Sequence, residues 1–305
     1  MTQQDMTQQH MTQQQQPAFF TSWVEIGQIA DKQPEELING FVPSSGVMVL
    51  AGAPGTGKSF TALSWAAAIA EGIPWFGQQT RQAPVVYVLG EGYSRFGKRT
   101  KAWETVNGGH KPDNVHFVDG LTHGINLKDP DSVQQLIAML AYVQPGLVIF
   151  DTLSVLSRLD SENDNSEVAQ VMANVHTIAQ ATGATAMVIH HTTKSTGSVR
   201  GASAFVGNAD TVVVAVKEKN IEGGATTSPF LLSTSAQHGG KQRDGEPKIM
   251  SGFRIATPGV LTHGSNGNSS TAPTDPNAAD LKQRLIAGAR AANERLEEQK
   301  EEQDS

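Results

Sequence analysis

The sequence has no cysteine in its 305 residues, so neither a disulfide framework nor a thiolate-held metal contributes to it, and a reducing compartment is the expected setting. Long apolar runs are missing as well. No stretch approaches the roughly 20 apolar residues that cross a bilayer, and the N-terminus lacks a basic segment followed by an apolar one. A soluble, cytoplasmic protein with no membrane partner is therefore expected. There is no basic surplus: 23 Lys plus Arg stand against 30 Asp plus Glu, a formal charge of -7, so any contact with nucleic acid must be local. Aromatic residues make up only 6% of the chain, which leaves few platforms on which bases can stack.

What is present divides unevenly along the chain. Residues 1–17 open with a repeated Met-Thr-Gln-Gln and run on in glutamine, a polar stretch that buries too little apolar surface to offset its ordering entropy and is expected to be a disordered tail. Residues 18–263 have a globular composition. Within them, an apolar run at 47–50 enters a Gly-rich turn as a buried parallel strand would, and a helix is expected over 58–71. The alternation recurs, with strands at 85–89, 147–150, 186–189 and 211–216 and helices at 131–142 and 167–181. It predicts an α/β fold with a central, mainly parallel sheet flanked by helices on both faces. Residues 264–279, rich in Gly, Asn, Ser, Thr and Pro, read as a linker. In the segment 280–305 that follows, Leu281, Leu285, Ala289, Ala292 and Leu296 share one helical face among charges. That face fits a short solvated helix or one that docks a partner.

The strongest chemical signal is Gly52-Ala53-Pro54-Gly55-Thr56-Gly57-Lys58-Ser59, which fits G-x-x-x-x-G-K-[ST] between an expected strand and a helix beginning near Phe60. The glycines let backbone N–H groups turn inward around phosphates, and the helix N-terminus adds partial positive charge. Lys58 would reach the β and γ phosphates of ATP, and Ser59 would offer its hydroxyl to Mg2+. Such a loop needs a second acidic group for the hydrated ion, and Asp151, ending the apolar run 147–150, is the candidate. An Asp there can also simply cap the loop after a strand. Glu91 lies between Gly90 and Gly92 just beyond the strand at 85–89, at the carboxyl end where ligands sit in open α/β sheets, and is the candidate general base.

These residues resemble those of the RecA-like ATPases, and specifically the RepA-type hexameric replicative helicases and similar AAA-type ATPases of phages and plasmids. The resemblance spans residues 36–257. It rests on Gly52 to Phe60, on Val86-Tyr87-Val88-Leu89-Gly90-Glu91-Gly92, and on Phe96-Gly97-Lys98-Arg99 with Ala102-Trp103. Phe150-Asp151-Thr152-Leu153, Val188-Ile189-His190-His191 and Lys241-Gln242-Arg243-Asp244-Gly245-Glu246 complete it. It implies that the catalytic Glu falls at Glu91 and that one histidine of the His190-His191 pair senses the γ phosphate. Strand alternation allows only one of the two to face the nucleotide, and the family pattern selects His191. It further implies that Lys241 and Arg243 reach the γ phosphate of a neighbouring subunit, although Asp-Gly at 244–245 equally suits a charged hairpin turn. Residues 198–204, continuing to 208–210, resemble the segment facing the DNA channel and its hinge in such rings, and the polar stretch 192–198 just before it carries Lys194. Lys194 and Arg200 are therefore candidate DNA contacts beside the alternative of an ordinary surface loop.

The expected activity is thus ATP hydrolysis in a ring-forming helicase acting on single-stranded DNA in replication, assembled as a homo-hexamer, with replication proteins as possible partners of the terminal helix. Two alternatives stay open from sequence: a RecA-like recombination or annealing ATPase on single-stranded DNA, and a regulatory ATPase with no motor activity.

Overall fold

The computed structural model describes residues 36–159, 164–191, 202–218, 229–243, 245–256, 259–264 and 270–271. Every described residue belongs to one compact unit, which begins at Glu36. The Gln-rich segment, the segment 280–305, Lys194 and Arg200 lie outside the described residues.

A short antiparallel pair, β1 (Glu36–Ile38) and β2 (Val42–Pro43), leads into β3 (Gly46–Gly52), the phosphate-loop strand. Helix α1 (Lys58–Glu71), β4 (Val85–Leu89), α2 (Tyr93–Val106) and β5 (Val115–Asp119) follow. Next come α3 (Pro130–Val143), β6 (Leu147–Asp151), the short α4 (Leu153–Ser157), α5 (Asn165–Thr182), β7 (Thr185–His191), α6 (Ala202–Asn208) and β8 (Thr211–Lys217). The strands pair in the order β5-β4-β6-β7-β3-β8, all parallel. Beyond β8 the sheet turns antiparallel through β9 (Phe230–Ser233), β11 (Ile249–Ala256), β12 (Val260–His263) and β13 (Ser270–Thr271), while β10 (Lys241–Gln242) also pairs with β8.

The central strands are apolar along their whole length because helices cover both faces, so neither face selects polar residues. In β3, Met48 and Leu50 join one cluster with Trp65 and Ile69 of α1, whereas Val47, Val49 and Ala51 join the other with Val168, Val171 and Val175 of α5. That division is the two-residue period of a strand read out in packing. Helix α1 lies close to the sheet because Ala62, Ala66 and Ala70 put little bulk against it. Its end is fixed by Gly72, whose left-handed conformation lets its N–H reach the carbonyls of Ala68 and Ile69. Asp129 and Asp164 cap α3 and α5 by accepting from backbone N–H groups in their first turns.

The expected parallel α/β architecture is the one observed. The periodicity did not predict α2, because Phe96, Ala102 and Trp103 alone form its buried stripe on an otherwise charged helix. The antiparallel extension carries short strands with little apolar alternation, and Ser270–Thr271, inside the segment expected to be a linker, pairs with Thr262 and His263. Among the described residues no helix is long and apolar enough to cross a membrane.

Candidate functional site

Parallel strands in register end together, and this is what assembles the site. Gly52 pairs with His191 across β3 and β7, and Leu89 pairs with Asp151 across β4 and β6. The carboxyl ends of four strands therefore meet at one edge, where a cleft of about 580 Å³ opens. It is lined by Gly55, Gly57, Lys58, Ser59, Phe60, Glu91, Asp151 and His191 together with Arg95, Phe96, Arg99 and Thr152.

The loop from Gly52 to Ser59 uses its residues in two ways. Gly55, Gly57, Lys58 and Ser59 face the cleft, while Thr56 is buried and ties the turn by donating its hydroxyl to Ala53 O at 2.8 Å. Gly52 and Ala53 act through their carbonyls, both of which accept from Lys58 Nζ, at 2.8 and 3.1 Å. Pro54 joins these two halves of the loop. Gly57, at the start of α1, has a φ of 82°, and a Cβ there would stand 2.8 Å from the ring of Phe230. Backbone conformation and packing each demand glycine at that point.

Lys58 is 5% exposed. Burial pulls its pKa down to about 8, an effect the carboxylate of Asp151 partly offsets. Its ammonium also lies 3.2 Å from His191 Nδ1, and since an ammonium only donates, Nδ1 is the acceptor of that pair. A cation folded onto its own loop, with two carbonyls and an imidazole around it, is placed to turn toward an incoming polyphosphate.

Asp151 ends β6 almost buried, and the peptide that follows it is cis. Tyr87 donates its hydroxyl to Asp151 Oδ2 at 2.8 Å. Burial raises the Tyr87 pKa, with the neighbouring carboxylate adding to the shift, so the phenol stays protonated as a donor. Ser59 and Asp151 line one cleft, and a hydroxyl plus a carboxylate is an oxygen donor set suited to Mg2+ with its water shell. Glu91 is exposed and lines the same cleft, between the tip of β4 and the start of α2.

Strand alternation separates the two histidines. His191 reaches the cleft, whereas His190 is fully buried on the other face with its ring centroid 4.2 Å from that of Phe205. Lys241 and Arg243 are not brought to this cleft. Lys241 Nζ donates to Val206 O at 3.0 Å and Ala209 O at 2.6 Å, satisfying carbonyls at the end of α6. Arg243 pairs with Asp210 Oδ1 at 2.5 Å, while Asp210 Oδ2 accepts from Val47 N–H at 2.9 Å at the beginning of β3. This close approach needs Gly46, whose φ is 93° and where a Cβ would lie 2.6 Å from Oδ2.

Arg95 and Arg99 line the cleft without having been assigned a role from sequence. The Arg99 guanidinium lies over the rings of Phe60 and Phe96, 4.9 and 5.2 Å from their centroids. The available signal was their four-residue spacing, which puts both on one face of a helix that begins one residue after Gly92.

A family model described as an AAA domain matches residues 13–197, a span that contains the phosphate loop, Glu91, Asp151 and His191. The Lys241–Arg243 turn lies beyond it. The fold is similar to that of a KaiC-like protein from the hyperthermophilic archaeon Pyrococcus horikoshii, with a TM-score of 0.50 and 21% identity, over 75% of this chain and 97% of that one. No curated protein matches the sequence.

Proposed function

Since the chain belongs to the AAA domain family of P-loop ATPases with a RecA-like fold, we propose that it hydrolyses ATP as a ring-forming motor on single-stranded DNA, in the manner of a replicative helicase. The loop amides, Lys58 and Ser59 would bind the triphosphate, and Ser59 and Asp151 would hold its metal and the metal's water shell. Glu91 orients and deprotonates the attacking water, and His191, bonded to Lys58, senses the γ phosphate. Arg95 and Arg99 add cationic charge within the same chain. Magnesium, when bound, supplies neutralisation of the charge that develops on the phosphate oxygens.

The observation that carries the ring is the place of Arg243. Its partner Asp210 is bonded to Val47, five residues or about 16 Å along β3 from Gly52 at the rise of a parallel strand, so Arg243 is tied to the end of that strand away from the phosphate loop. It does not line its own cleft. Its side chain is 54% exposed and that of Asp210 is 21% exposed, so solvent screens the pair on the arginine side. That leaves the guanidinium open to the phosphates of a second copy. Lys241, bonded to carbonyls of α6, supports the turn from which Arg243 projects.

Mixing experiments test action between subunits. Arg243→Ala and Glu91→Gln proteins are each expected to be inactive alone and to regain part of the rate when mixed, because one supplies the base and the other the guanidinium. No rescue at matched assembly would remove Arg243 from the neighbour's site. The motor itself is tested by ATPase rate with and without single-stranded DNA, beside unwinding of a forked duplex. DNA binding without strand displacement would favour a recombination or annealing ATPase. Turnover indifferent to DNA would favour a regulatory one.

Binding should also depend on pH with a defined sign. The free Lys58 titrates near 8, and phosphates beside it raise that value in the complex. The complex therefore retains a proton that the free protein releases, and ATP affinity falls as pH climbs above about 8. Calorimetry in buffers of different ionisation heat should show proton uptake on ATP binding at alkaline pH and little uptake well below the Lys58 titration. Equal affinity across that range would mean that Lys58 is not engaged by the phosphates.

A further inference from the structure

Tyr87 has a polar atom that neither packing nor the roles above account for. It is fully buried in the middle of β4, among rings of Phe96 and Phe117 whose centroids lie 4.9 and 5.8 Å away. A phenylalanine would fill that space without the cost of desolvating a hydroxyl. The hydroxyl instead reaches one atom, Asp151 Oδ2, at 2.8 Å. Register explains how: Leu89 lies opposite Asp151 and Tyr87 opposite Ile149, so Tyr87 and Asp151 are diagonal neighbours on one face, within the reach of a long aromatic side chain.

We propose that Tyr87 is a positioning residue for the metal: by holding Oδ2 it fixes the carboxylate of Asp151 so that Oδ1 is directed to the magnesium ion and its water shell. This rests on the nucleotide-site reading above. A carboxylate at a strand tip otherwise has several rotamers, and only some of them face the cleft. One hydrogen bond from the adjacent strand removes that freedom before the ion arrives, as outer-shell partners of metal ligands do. The bond also places the metal ligand on the same aromatic cluster as Phe96, a residue of the cleft wall.

Tyr87→Phe tests this directly, with Phe117→Leu as the variant that disturbs the packing but keeps the hydroxyl. Manganese binding is followed by electron paramagnetic resonance in the presence of ADP, and magnesium half-saturation is measured for ATP turnover. Tyr87→Phe is expected to weaken manganese about tenfold and to raise magnesium half-saturation by a similar factor. Its maximal rate should return at excess magnesium, and metal-free ATP affinity should stay unchanged. Phe117→Leu should leave metal affinity alone. If folded Tyr87→Phe binds manganese as tightly as the wild type, or if Phe117→Leu loses as much, the positioning role is overturned while the nucleotide site stands. If the wild-type protein takes up no manganese with ADP, the nucleotide reading is overturned and this inference with it.

Discussion

Lys58→Ala is expected to remove ATP binding and turnover together. Truncating one member of a desolvated charge pair costs about 2 to 5 kcal/mol, or roughly 30- to 5000-fold in affinity, and here the lost group is the cation aimed at the phosphates. The same substitution should do little to the fold. Lys58 is a buried cation whose lowered pKa shows that the native state disfavours its charge. Its removal frees the protein of that burial cost, against the loss of bonds to the carbonyls of Gly52 and Ala53. Opposing terms of similar size leave the melting temperature within a few degrees, roughly the shift that 1 kcal/mol produces in a domain of this size. Fluorescent-nucleotide titration and a thermal scan on the same sample separate the two. Loss of binding accompanied by unfolding would show that Lys58 is structural first.

Glu91→Gln should split binding from chemistry in the opposite way. The side chain is exposed at the cleft lip and sits between two glycines, so an amide of the same shape disturbs neither packing nor the phosphate loop. What it removes is a proton acceptor, and general-base contributions are typically 10²- to 10⁴-fold in rate. Turnover is expected to fall by about that factor, with ATP affinity retained or slightly raised because one negative charge near the polyphosphate has gone. Single-turnover hydrolysis beside equilibrium binding makes the distinction. Normal turnover would reassign the base.

Much of this site was legible in the chain because its parts are local. Gly52 to Ser59 is a contiguous segment whose chemistry follows from backbone N–H groups, and the apolar runs before Glu91 and Asp151 mark strand tips without knowledge of their neighbours. Strand alternation showed that only one of His190 and His191 could face the cleft, and the family resemblance pointed to His191. The strand order, with β7 between β3 and β6, depends on which crossovers pack, and no local pattern encodes it. Tyr87 reads as one more aromatic in an apolar strand, since its partner Asp151 is 64 residues away. Arg99 entered only as part of a resembling segment and Arg95 not at all, because their place in the cleft appears only once α2 is set against the phosphate loop and Phe60 lies beneath the Arg99 guanidinium. Lys241 has a contact of the same long-range kind: within one chain its ammonium meets the carbonyls of Val206 and Ala209, 35 and 32 residues earlier.

Asp210 divides its two oxygens between different masters. One keeps the base of the phosphate-loop strand in place through Val47, and the other detains Arg243. Were that guanidinium drawn into an adjacent protomer's fuel, the carboxylate would lose its counter-cation while still gripping the strand. The proposed contact between copies would thus bear on the foot of the strand that leads into the phosphate loop as well as on the phosphates it reaches.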